Sequence, residues 1–89
     1  MTADAPIART SGIVEAQFDE VRVLLNEDLE YLGLDDVGQR VWDLLAEPRG
    51  LGDLVSVLTE EYDVSAEQCR LDVGRFVDAL ERHGLVARG

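Results

Sequence analysis

Leu34-Asp35-Asp36-Val37-Gly38-Gln39-Arg40-Val41-Trp42-Asp43-Leu44-Leu45 is where the apolar pattern of this chain changes its period. Before it, apolar residues alternate as they do in strands. From it onward they return every three or four residues, as they do on helices. Asp35 or Asp36 supplies an N-cap, because a short carboxylate accepts from the unpaired N–H groups of a first turn and suits the positive end of a helix. Val37, Val41, Leu44 and Leu45 form the stripe of a first helix, and the only tryptophan, Trp42, points inward beside it. Pro48 ends the run, and Arg49-Gly50 makes a turn.

Toward the N-terminus, Ile13 to Phe18 places Val14, Ala16 and Phe18 at alternate positions. Val21 to Leu25 does the same with Val21, Val23 and Leu25. Leu29 to Leu34 follows, with Leu29 and Tyr31 on one face. Asp19-Glu20 and Asn26-Glu27-Asp28 separate these runs, so the pattern predicts a meander of three antiparallel strands. Leu24 and Leu32 fall on the opposite face from the main apolar set, so both faces of the sheet can meet apolar surface. Residues 1–12 carry Ala, Thr, Ser, Gly and Pro without a period and read as a flexible tail ahead of a domain spanning 13–89.

Toward the C-terminus, Leu51, Leu54, Val55 and Leu58 mark a second helix over about 51–62. Ser65-Ala66-Glu67-Gln68 is a capping box, in which the Ser and Gln side chains can satisfy orphan N–H groups reciprocally. The third helix continues through Cys69, Val73, Phe76, Val77 and Leu80 to Gly84, well placed as the C′ residue. Leu85-Val86 returns to the core. The expected fold is α+β and winged-helix-like: a three-stranded antiparallel sheet followed by three helices.

The chain has 89 residues, enough for one domain with a modest core. Its net charge is −11, with eight basic residues, all arginine, against nineteen acids. Nucleic-acid binding draws its affinity from cations on phosphates, so a DNA or RNA role is disfavoured. One cysteine excludes an intrachain disulfide and a CxxC metal site, and Cys69 reads as a small buried apolar residue. No basic–apolar leader opens the chain, and no segment has the roughly 20 apolar residues needed to span a bilayer. A cytoplasmic location without membrane contact is expected.

Chemistry is absent from the pattern. The one histidine, His83, stands at the tail of the third helix, where it suits the negative helix end. Ser11, Ser56 and Ser65 lack a nucleophile frame. Asp35-Asp36 and Glu60-Glu61 read as capping or solvated carboxylates rather than a pair with separated pKa values. The glycines form no phosphate loop. The chain is expected to be neither an enzyme nor a cofactor or metal carrier. An acyl carrier role also fails, because Val55-Ser56-Val57 and Val64-Ser65-Ala66 lack the Asp-Ser-Leu attachment frame.

A binding surface is the better expectation. An open sheet edge beside a helix can take an extended peptide as a further strand. On the third helix Cys69, Val73, Phe76 and Leu80 centre the buried stripe, with Val77, Arg70 and Gly74 along one flank. Gly74 in mid-helix costs roughly 1 kcal/mol relative to alanine, which a close backbone approach would explain. Arg70, Arg75 and Arg82 form a local positive strip that can hold an acidic peptide or simply pair with nearby carboxylates.

The period-switch segment resembles that of the PqqD-like leader-recognition domains of ribosomal peptide natural-product (RiPP) pathways, the RiPP recognition elements. The family pattern runs approximately Leu-Asn-x-x-Gly-x-x-Ile-Trp-x-Leu-Leu. Here Leu34, Asp35, Gly38, Val41, Trp42, Leu44 and Leu45 match it, with Asp for Asn and Val for Ile. Leu54, Glu61-Tyr62, Val64, Asp72-Val73, Phe76, Leu80 and Gly84-Leu85-Val86 fall where the later signature lies, so the likeness covers about residues 13–87.

The resemblance implies a non-catalytic protein that binds the leader of a precursor peptide as an added strand and delivers it to a maturation enzyme. It implies a cleft formed by Leu29, Glu30, Tyr31 and Leu32 of the third strand with Arg70, Val73, Gly74 and Val77 of the third helix. A stand-alone member is expected. The lasso-peptide pathways, with their leader-cutting cysteine protease, are preferred over a chaperone for the pyrroloquinoline quinone precursor. A winged-helix nucleic-acid-binding regulator and a subunit that recognises a folded partner are the competing readings, and binding to leaders or to duplex DNA separates them.

Overall fold

Turn and capping chemistry cuts the chain into short elements whose order is visible in a computed structural model, which describes residues 5–89. Strand β1 is Ile7–Arg9, β2 is Val14–Phe18, β3 is Val21–Leu25 and β4 is Tyr31–Leu34. Helices α1 (Asp36–Leu44), α2 (Leu51–Glu61) and α3 (Ala66–Arg82) follow, then β5 (Val86–Arg88). The three-stranded antiparallel sheet has the order β2-β3-β4, so β4 is an open edge. The α+β winged-helix-like architecture is therefore the one expected from the change of period, with one addition.

That addition is at the N-terminus. Residues 1–4 of the expected tail lie outside the described residues, but Ile7–Arg9 is a strand and not a tail. It pairs antiparallel with β5, Ile7 opposite Arg88 and Arg9 opposite Val86. Ile7 also exchanges main-chain hydrogen bonds with Arg49 at 2.7 and 3.1 Å, and its side chain is buried. The Arg9 guanidinium lies 4.3 Å from the centre of the Trp42 ring and donates to the Trp42 carbonyl. Residues that look featureless locally are thus fixed by partners distant in sequence.

Cross-strand register decides which side of the main sheet is inward. Leu24 pairs with Leu32 and Arg22 with Leu34 on the face toward the helices. Leu24 and Leu34 are buried there, and Leu32 packs against them. The minority apolar set of the alternation is the core set, while the larger set faces outward. Trp42, Leu45, Leu54, Leu58, Val77, Leu80 and Leu85 complete the interior.

The helix ends follow their sequences closely. Asp35 caps α1 by accepting from the Gly38 N–H at 2.7 Å. Arg49 closes the other end, donating from Nε to the Leu44 carbonyl at 2.8 Å. Ser65 accepts from the Gln68 N–H at 3.1 Å, but the Gln68 side chain donates to Asp72 at 3.0 Å, so only half of the capping box forms. Gly84, with φ of +68°, ends α3: its N–H bonds Glu81 and the Leu85 N–H reaches back to Leu80. That pair of bonds is a Schellman closure, and the positive φ is why glycine stands there. Among the described residues no helix is long and apolar enough to cross a membrane.

Candidate functional site

Edge strands expose main-chain groups, and β4 shows where. The Asn26 N–H bonds the Glu30 carbonyl at 3.0 Å. In an antiparallel ladder hydrogen-bonded pairs alternate. Leu32 and Leu34 therefore turn their main-chain groups toward β3, and Tyr31 and Gly33 turn theirs toward the open edge.

Two contacts tie α3 to the elements on either side of that strand. At the turn between β3 and β4, Asn26 Nδ2 donates to the His83 carbonyl at 2.7 Å. At the other end Phe76 lies against α1, so close that a Cβ at Gly38 would stand 3.2 Å from the ring. The groove between α1 and α3 is lined by Asp35, Val37, Gly38, Val41, Asp72, Val73 and Phe76, and holds about 250 Å³. A second depression of about 260 Å³ continues past Val37 to Leu58, Tyr62, Val64 and Cys69. The partial exposure of Val37 and Tyr62 has its explanation here, since both border this apolar trough.

Only some of the expected cleft residues meet. Tyr31 and Leu32 lie on β4 itself. Leu29 and Glu30 belong to the turn before it, and Leu29 has a φ of +63°, a left-handed conformation rare for leucine. Val73 lines the groove although it is largely buried. Val77 is 0% exposed and belongs to the core, so the expectation that its side chain faces an accessible cleft is corrected.

Arg70 and Gly74 lie across the buried stripe from Asp72 and Phe76, roughly opposite at 100° per residue, and away from the contacts that set α3 beside β4. A Cβ at Gly74 would meet nothing within 4 Å, so no close approach within the domain accounts for that glycine. Sequence reasoning missed Val37, Asp72 and Phe76 as groove residues. Phe76 was legible as apolar at helical spacing, but that spacing alone reads as core.

Electrostatics in and around the groove is mild. Burial pushes the Cys69 thiol up, with Asp72 adding to it, so this cysteine is a packed neutral thiol rather than a nucleophile. His83 Nδ1 is held by the Ala79 carbonyl at 2.9 Å. Arg9, Arg22, Arg40, Arg49 and Arg88 are in ion pairs, whereas Arg70, Arg75 and Arg82 of α3 are exposed and in none among the described residues. No group of three or more His, Cys, Asp or Glu side chains is placed to hold a metal among the described residues.

An open strand edge beside an apolar helical groove defines a wing-type recognition fold. The PqqD family profile, described as coenzyme PQQ synthesis protein D, matches residues 22–86, and the chain belongs to this family as a PqqD-like RiPP recognition element. The solved structure of TbiB1 in complex with the TbiA(beta) leader peptide is similar, with a TM-score of 0.78 and 32% identity over 89% of this chain and 93% of that one. A lasso peptide synthetase B1 complexed with its leader peptide also has a TM-score of 0.78, at 27% identity over 91% of this chain and 96% of that one. A comparison with curated protein sequences finds no match.

Proposed function

We propose that this domain binds the leader segment of a ribosomally made precursor peptide as an added strand on β4 and delivers it to a maturation enzyme. The leader protease of a lasso-peptide pathway is the preferred recipient. The observation that carries the reading is the open β4 edge beside the Val37–Val73–Phe76 groove. Main-chain bonds to Tyr31 and Gly33 supply affinity independent of leader sequence, and the apolar groove selects side chains. Likeness to two leader-peptide complexes supports it. The domain contributes binding and presentation, with the chemistry done by the enzyme.

Ordering an extended leader costs conformational entropy, so the affinity expected is roughly nanomolar to micromolar, about 8–12 kcal/mol. Tyr31 and Leu32 of β4, Leu29 and Glu30 before it, and Val73 with Phe76 on α3 are the contacts we assign. Amide exchange tests the mode directly. On adding a lasso-precursor leader, the Tyr31 and Gly33 amides should gain protection while Arg22, already inside the sheet, changes little. Protection gained elsewhere but not at β4 would contradict strand addition.

A second reading, a chaperone for the pyrroloquinoline quinone precursor peptide, is favoured by the description of the matching family. It differs only in the leader bound, and parallel titrations with the two leader classes separate the readings.

A further inference from the structure

Apart from Tyr31, whose main chain lies on the β4 edge, the outer face of the main sheet has no part in the leader binding proposed above. Cross-strand partners share a face, so Val14–Leu25–Tyr31, Ala16–Val23–Gly33 and Phe18–Val21 all point away from the helices. No charged residue stands among them, yet Tyr31 is 72% exposed, Phe18 65% and Val14 58%. Phe18, Val23, Leu25 and Tyr31 enclose a depression of about 280 Å³. Scattered exposed apolar residues are ordinary, but a contiguous apolar face on a small domain marks an interaction surface. A strand added at β4 lies in the plane of the sheet and leaves this face uncovered.

Charge selects the occupant. Asp19 and Glu20 border the face at the β2–β3 turn, and Glu27 and Asp28 border it at the β3–β4 turn. All four are exposed, and among the described residues none joins an ion pair. Two copies meeting face to face would set these rims together and add repulsion between chains of net charge −11. An anionic membrane surface is repelled for the same reason. We infer that the outer face docks a folded protein whose own apolar patch is bordered by Lys and Arg. Naming that protein as the maturation enzyme rests on the leader-binding reading above; the surface itself does not.

The pair Phe18→Thr with Val21→Thr keeps good strand formers at exposed positions outside the leader groove. The probe is the leader protease of a lasso-peptide pathway. Biolayer interferometry should find the variant about ten-fold or more weaker for the protease, as expected when central apolar contacts are lost. Its circular dichroism and leader affinity should be unchanged. Asp19→Asn with Glu20→Gln should slow association and flatten its salt dependence.

Undiminished protease affinity in the Thr variant, or no binding by the wild-type chain, overturns the docking surface. So does a wild-type dimer in sedimentation that the Thr variant abolishes, which would give the face to a second copy. Wild-type protease binding without any leader binding leaves the surface standing and removes the leader reading.

Discussion

The Asn26 side-chain amide donates from Nδ2 to the main-chain oxygen of His83 at 2.7 Å, tying the turn before β4 to the end of α3. The same amide accepts from the N–H groups of Asp28 and Glu30, each at 2.9 Å, and also donates to the Glu30 carboxylate at 2.9 Å. Asn26 is the one buried polar residue among those described, and every part of its amide is used. This residue holds the end of α3 to the turn that leads into β4.

Asn26→Ala should therefore cost about 1–3 kcal/mol, because it strands two N–H donors and a carbonyl in a partly buried turn. Urea denaturation measures that loss. Leader affinity should fall further than stability alone explains, since α3 loses its anchor beside β4.

Trp42→Ala should destabilise the domain by roughly 3–5 kcal/mol, as large-to-small changes at buried aromatics do. Arg9→Ala should cost less, on the order of 1 kcal/mol, through the lost cation–π contact. Thermal melts of the two single variants and the double variant should show non-additive losses, because the two side chains touch.

Leu29 holds an exposed leucine at a φ of +63°. Leu29→Asn relieves a conformation that asparagine tolerates, so stability should hold or rise by up to about 1 kcal/mol. Leader affinity should drop if the leucine is kept for contact. A stabilised variant with undiminished affinity would remove Leu29 from the site.

Arg40 on α1 grips Glu61 at the end of α2 with two bonds, Nε to Oε1 at 2.8 Å and Nη2 to Oε2 at 2.6 Å. The guanidinium holds the Glu61 carboxyl below the usual glutamate range. A depressed carboxylate stabilises the fold above its unfolded pKa, and that contribution disappears as pH falls through the folded value. Glu61→Gln should lower the urea midpoint slightly at neutral pH, and the gap should close once the pH has fallen through the lowered pKa of the folded carboxyl.

The sequence made much of this legible because it was local. Asp35, Trp42, Ser65 and Gly84 mark caps, core and closure by chemistry within a few residues; Asp35, Trp42 and Gly84 behave as read, and Ser65 forms its half of the capping box while Gln68 turns to Asp72. Strand β1 escaped because three residues with one strong apolar side chain carry no period, and its partners Arg49 and Val86–Arg88 lie far along the chain. The inward face of the sheet went to Leu24, Leu32 and Leu34 although the larger apolar set lies on the other side. Counting apolar residues cannot say which face the helices cover.

The flank of α3 was likewise nonlocal. Periodicity gave the stripe, but only tertiary contacts put Asp72 and Phe76 against α1, on the opposite flank from Arg70 and Gly74. Val77→Asp should unfold the domain, because it buries an unpaired charge at a position that the resemblance had placed in the cleft. Circular dichroism of that variant checks the point.

Fluorescence polarisation with labelled lasso-precursor and quinone-precursor leaders, beside a labelled DNA duplex, tests leader recognition most directly. We expect saturable binding to one leader class in the nanomolar to micromolar range, and none to the duplex. Silence from both leaders, or salt-sensitive binding to the duplex alone, would contradict it.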